Sequence, residues 1–129
     1  MLKTLLLTAA LIAAPALAAP RDDPDTQLRK ALAGRVAGKP TDCISLTSTN
    51  SSQIIEGKAI IYRSGSRLYV NEPRSGAESL DDDDILVTRV TGSQLCSIDT
   101  VDLVDRASRI QHGFVILGKF VPYTKPKAR

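Results

Sequence analysis

Between residues 53 and 71 the chain reads QIIE, Gly57-Lys58, AIIYR, Ser64-Gly65-Ser66 and RLYVN. Three β-branched and aromatic runs are joined by two short, glycine-containing links. Such links bring consecutive strands back alongside one another, so the segment is expected to form an antiparallel meander. Further runs of the same character follow the same spacing. CISL (43–46) precedes the meander, and ILVTRV (85–90), QLC (94–96) and a strand around Val101 and Leu103 come after it. FVILGKFV (114–121) is a final apolar run, in which Gly118 implies a bulge or sharp bend. Asp105 to Gly113 reads as a polar connection, and the region from Ala77 to Asp84 as a helical turn or irregular chain. Strands this short and this regularly spaced predict a mainly β (α+β) fold, a small antiparallel sandwich or barrel. One N-terminal helix is expected in addition. Asp25 caps it, Leu28, Leu32 and Val36 form one stripe up to about Ala37, and Gly38 with Pro40 ends it.

The first eighteen residues stand outside that pattern. Met1-Leu2-Lys3 is followed by an apolar run from Leu5 to Ala14, then Pro15 and Ala16-Leu17-Ala18. A positive start, a short apolar run and an A-x-A end are the marks of a secretory signal peptide, with cleavage after Ala18. The run is too short to span a bilayer, which takes roughly 20 apolar residues, so no transmembrane anchor is expected after cleavage. The organisation then reads as signal 1–18, a flexible leader 19–25, one β-rich domain 26–123 and a basic tail 124–129. A 129-residue chain that is 43% hydrophobic has enough aliphatic side chain for one modest core. Its formal charge of +3 is too near balance for a dedicated nucleic-acid binder.

Cys43 and Cys96 are the only two cysteines. An even count in a small exported domain points to a disulfide and to a periplasmic or secreted location. The bridge would close a loop of about 54 residues, worth about 4 kcal/mol in the chain-entropy model. No C-x-x-C motif is present, and two Cys with one His lack the paired spacing of a zinc site.

Read together, D-C-I-S-L (42–46), A-I-I-Y-R (59–63), R-L-Y-V-N (67–71), L-D-D-D-D-I-L-V (80–87), Q-L-C-S-I-D (94–99) and G-F-V-I-L-G-K-F-V-P-Y (113–123) form a set. The sequence resembles an uncharacterised family of small exported alphaproteobacterial proteins with two cysteines, a domain of unknown function. The resemblance runs from about Leu32 to Tyr123. It implies a β-rich fold around one early cysteine and a second in a Q-L-C setting, and it supplies no catalytic residue or ligand.

Few residues point to chemistry. Asp81 to Asp84 could attract Ca²⁺ or Mg²⁺, but the alternating spacing of an EF-hand loop is missing, and neighbours in extended chain face opposite ways. An acidic collar before the strand is the expectation. A serine triad would need His112 beside Ser97 or Ser108 and one of Asp99, Asp102 or Asp105, and no G-x-S-x-G elbow exists. Glu56, Glu72 and Glu78 sit beside turns, with nothing to select a catalytic pair. Tyr62, Arg63, Arg67 and Tyr69 crowd one hairpin, a composition suited to binding, although the tyrosines could equally pack across the hairpin. The expectation is a non-enzymatic exported domain with no cofactor, no metal and no nucleic-acid partner. Its candidate partner is a cell-envelope protein and its candidate contact residues are those four. The alternatives are a small periplasmic hydrolase and a weak divalent-cation binder.

Overall fold

The computed structural model describes residues 7–15 and 20–127. The start of the expected signal segment at 1–6, its expected cleavage region at 16–19 and the last two residues of the expected basic tail, 128–129, lie outside the described residues. Among the described residues no helix is long and apolar enough to cross a membrane.

The helix α1 spans Pro24–Ala31. Asp23, not Asp25, caps it: the Asp23 carboxylate accepts the Thr26 N–H at 2.7 Å, and Pro24 fills the first helical position. Proline suits that position because its missing N–H would have no partner there. The expected continuation to Ala37 fails at Gly34, whose φ of 75° is left-handed. Val36–Ala37 instead forms the short strand β1. Leu28 and Leu32 of the expected stripe pack on the sheet below, whereas Val36 is exposed.

The remaining strands are β2 (Cys43–Ser45), β3 (Ser51–Ile55), β4 (Ala59–Ser64), β5 (Arg67–Asn71), β6 (Asp84–Thr88), β7 (Gln94–Cys96), β8 (Thr100–Asp105), β9 (Gln111–Ile116) and β10 (Phe120–Thr124). All pairings are antiparallel. One sheet has the order β1-β10-β5-β4-β3; a second has β6-β8-β9; β2 and β7 form a two-stranded ribbon. The sheets stack as a sandwich rather than closing into a barrel.

The core lies between them. Ile54, Ile60, Tyr62 and Phe120 of the five-stranded sheet meet Ile44, Leu95, Val101, Leu103 and Val115 from the opposing layer. The other face of the large sheet carries Ile55, Ala59, Ile61, Leu68 and Val70 under Leu28, Ala31 and Leu32. Strand β4 is therefore covered on both sides. That is why AIIY reads as an unbroken apolar run instead of an alternating one.

Two further boundaries differ from expectation. The polar stretch after Val104 is not all connection: Asp105 ends β8, and β9 begins at Gln111. The run FVILGKFV divides at 117–119 into the end of β9 and the start of β10. Gly118 makes that corner. A Cβ there would collide with the Glu72 carbonyl oxygen. Fully buried Asn71 closes the corner from the side: its Nδ2 donates to the Gly118 carbonyl at 2.7 Å, and the Gly118 N–H donates to its Oδ1 at 2.9 Å.

Cys43 and Cys96 face each other across the β2–β7 ribbon and are joined by a disulfide, with Cα atoms 4.0 Å apart. Ile44 and Leu95, the next residues along the two strands, turn inward and are buried. The bridge thus staples the ribbon where it is anchored to the core.

Candidate functional site

The four hairpin residues do not form one surface. Tyr62 and Tyr69 are direct cross-strand partners on the core-facing side of the sheet. Tyr62 is only 5% exposed and stands edge-on to Phe120, ring centroids 5.9 Å apart. It is a core residue, so its ring is not offered to a partner. Its hydroxyl is buried without a hydrogen-bond partner, and burial pushes its pKa well above the usual tyrosine range. Arg63 pairs in register with Leu68 and so lies on the opposite face, beside α1. Arg67 and Tyr69 remain together. The guanidinium lies 6.0 Å from the ring centroid and donates to the phenol oxygen at 3.2 Å.

The acidic run does not act as a unit either. Asp82 pairs with Arg21 at 3.2 Å, and Asp83 faces Arg106 at 3.5 Å. Asp81 accepts the Asp83 N–H on its side chain and the Asp84 N–H on its carbonyl. Asp84 belongs to the strand rather than to a collar. Pairing in register opposite Asp105, and alternating with core-packed Leu86, it turns inward, and its side chain is 3% exposed. Among the described residues, no three His, Cys, Asp or Glu side chains are placed to share a metal ion.

A buried carboxylate needs a partner. Asp84 has His112, whose Nε2 lies 2.7 Å from Asp84 Oδ1, while the Asp81 N–H reaches Oδ2 at 3.3 Å. The contact depends on an irregularity in the β8–β9 ladder. Leu103 pairs with Gly113 and Val104 with Gln111, so His112 is left without an opposite number. Such a bulge re-aims a side chain, and here it directs the imidazole across β8 toward the start of β6. The tight turn beyond β8 is wound about Asp105, whose carboxylate accepts the Ser108 N–H at 2.8 Å. The His112 side chain is 39% exposed. Its pKa is raised above 6.5, first by the hydrogen bond to Asp84, then by the charges of Asp84, Asp105 and Asp81.

Of the triad partners named from the sequence, only Asp105 lies near enough for its charge to act on His112, and neither serine meets the ring. Ser97 turns toward Asp42, and Ser108 accepts the Ile110 N–H. Asp99 caps the Cys96 N–H, and Asp102 pairs with Arg89 at 2.7 Å. The alternation of Asp84, Leu86 and Thr88 is the signal that an inward carboxylate was present. Its partner could not be found without the bulge.

Two concavities flank these features. One, of about 510 Å³, runs between the edges of β3 and β6 and is lined by Ser52, Gln53, Asp82, Asp84 and Arg106. The other, of about 760 Å³, is open beside the disulfide, lined by Arg89, Gln94, Cys96, Ile98 and Asp99. No protein-family model, curated protein or solved structure matches the chain.

Proposed function

We propose that this is an exported, periplasmic or secreted domain that works as a non-enzymatic binding or structural module. The observation that carries the reading is the Cys43–Cys96 bridge. Disulfides persist in oxidising compartments, and a small domain outside the cytoplasm gains most from one. The signal-like start at 1–18 and the resemblance to small exported proteins support the same compartment. The partner class is a cell-envelope protein. Of the four hairpin residues, Arg67 and Tyr69 are the pair that reaches the surface together, and Arg with Tyr is a combination that anchors interfaces.

The experiment is crosslinking and capture from intact cell envelope. Arg67→Ala with Tyr69→Ala is expected to lose a captured envelope protein that the wild type and His112→Ala retain. A second reading, a small hydrolase, is favoured by one observation, the Asp84–His112 pair. A buried carboxylate holding one imidazole nitrogen leaves Nδ1 to accept a proton. Turnover of peptide, ester or glycan substrates that His112→Ala abolishes would replace the binding module with that hydrolase.

A further inference from the structure

We infer that the Asp84–His112 pair is a proton-operated latch that fastens the outer strand β6, and the acidic loop before it, to β9. Strand β6 has one partner, β8, and its other edge borders the open cleft toward β3. Asp84 is its first residue, so whatever holds Asp84 fixes where the Asp81–Asp84 loop joins the sheet. The hold spans three strands: the carboxylate is on β6, the imidazole on β9, and β8 runs between them. Only the bulge at His112 makes that reach possible.

The charges around the imidazole give the latch its sense. Asp84 faces it from β6, Asp81 from the preceding loop and Asp105 from β8. The turn after β8 contributes Arg106, which is engaged by Asp83, and Arg109. The 3-10 turn Ala77–Ser79 packs against β9 and brings Glu78. The hydrogen bond to Asp84, and after it the charges of Asp84, Asp105 and Asp81, hold the proton on the imidazole to a higher pH than in the unfolded chain. While it is protonated, the buried Asp84 carboxylate has a counter-charge. Once it loses the proton, Asp84 keeps two neutral hydrogen bonds but remains a buried anion. The latch therefore closes in mildly acidic surroundings and loosens as pH rises through the His112 midpoint. Loosening frees the β6 edge and the Asp82 and Asp84 wall of the cleft.

Amide hydrogen exchange on the full chain tests it, read from about pH 6 to about pH 8.5 with intrinsic rates removed. The His112 ring is followed in parallel by NMR. The expected result is a loss of protection over residues 81–88 and 111–113, with the same midpoint as the imidazole and above 6.5. Protection in β4 and β5 should stay level. His112→Gln keeps an N–H donor without a titrating charge, and should remove the pH-dependent change. If that variant does not fold, Asp84→Asn serves: the imidazole midpoint should fall back toward 6.5. Unchanged protection across the imidazole midpoint, the same loss in His112→Gln, or an unmoved midpoint in Asp84→Asn would overturn the latch.

Discussion

Two buried polar residues, Asn71 and Asp84, have their side chains paired, and they are solved in opposite ways. Asn71 is neutral and meets backbone: both of its amide functions are taken by Gly118, whose N–H and C=O it matches as a strand would. That closure involves no proton that can leave. Asp84 is an anion and meets a side chain, His112, that is partly in water and can lose its charge. The difference shows what each part of the sandwich can do. The β5–β10 corner is a pH-independent joint, because a neutral amide paired to neutral backbone has no proton to lose in the physiological range. The β6–β9 contact has two states, because its strength depends on the proton of an imidazole.

The sharpest way to break the contrast is to make the pH-independent joint titratable. Asn71→Asp puts a carboxylate where only neutral groups are satisfied. At neutral pH it should cost about 3–5 kcal/mol, the cost of an uncompensated buried charge. Burial would raise the new carboxyl pKa above its unfolded value. Stability would then be highest in acid and fall as pH rises through that range, which denaturant melts at several pH values would reveal. Asn71→Ala should cost somewhat less, about 2–4 kcal/mol, because two buried backbone groups of Gly118 lose their partners. That loss should be the same at every pH in a urea titration, since no titrating group is involved.

On the other side of the comparison, Asp84→Ala should cost about 1–3 kcal/mol by the same assay. The penalty is smaller because His112, half in water, is rehydrated when its partner is removed. The smallest effect belongs to Tyr62→Phe. The hydroxyl is buried and makes no hydrogen bond, so removing it should change stability by under about 1 kcal/mol, in either direction. A thermal melt of this variant is the control that separates an unpaired polar atom from the two paired ones.

Much of this architecture is legible in the sequence because it follows from local rules. Gly57 and Gly65 punctuate the meander, and the strands at 59–63 and 67–71 lie where the β-branched runs place them. The cysteine pairing follows from there being two. The sequence overextends the helix because Leu28, Leu32 and Val36 fit a helical period, while Gly34 breaks the backbone between them. For Tyr62 the sequence leaves contact and cross-hairpin packing both open, because it gives the residue's type and not its face; opposite Tyr69, it is turned into the core. The Asp84–His112 pair was hidden for a different reason. Its two residues are 28 apart in sequence, and the side chain that completes it is delivered by one extra residue in a ladder. A register irregularity leaves no mark in composition or periodicity. Asn71 ends the RLYVN run, and nothing local marks it as the side chain that closes the Gly118 corner.

The contrast between the two joints is tested most directly by the pH dependence of the unfolding free energy, measured by denaturant titration for the wild type and His112→Gln. The folded-state pKa of His112 is raised above the unfolded value of 6.5, so the stabilisation it brings is fully present below that value. It is lost as pH climbs from 6.5 through the folded pKa. The account predicts a wild-type curve that falls over this window, a His112→Gln curve without that fall, and an Asn71→Ala curve that runs parallel to the wild type at lower stability. A His112→Gln curve that falls as steeply as the wild type would contradict it.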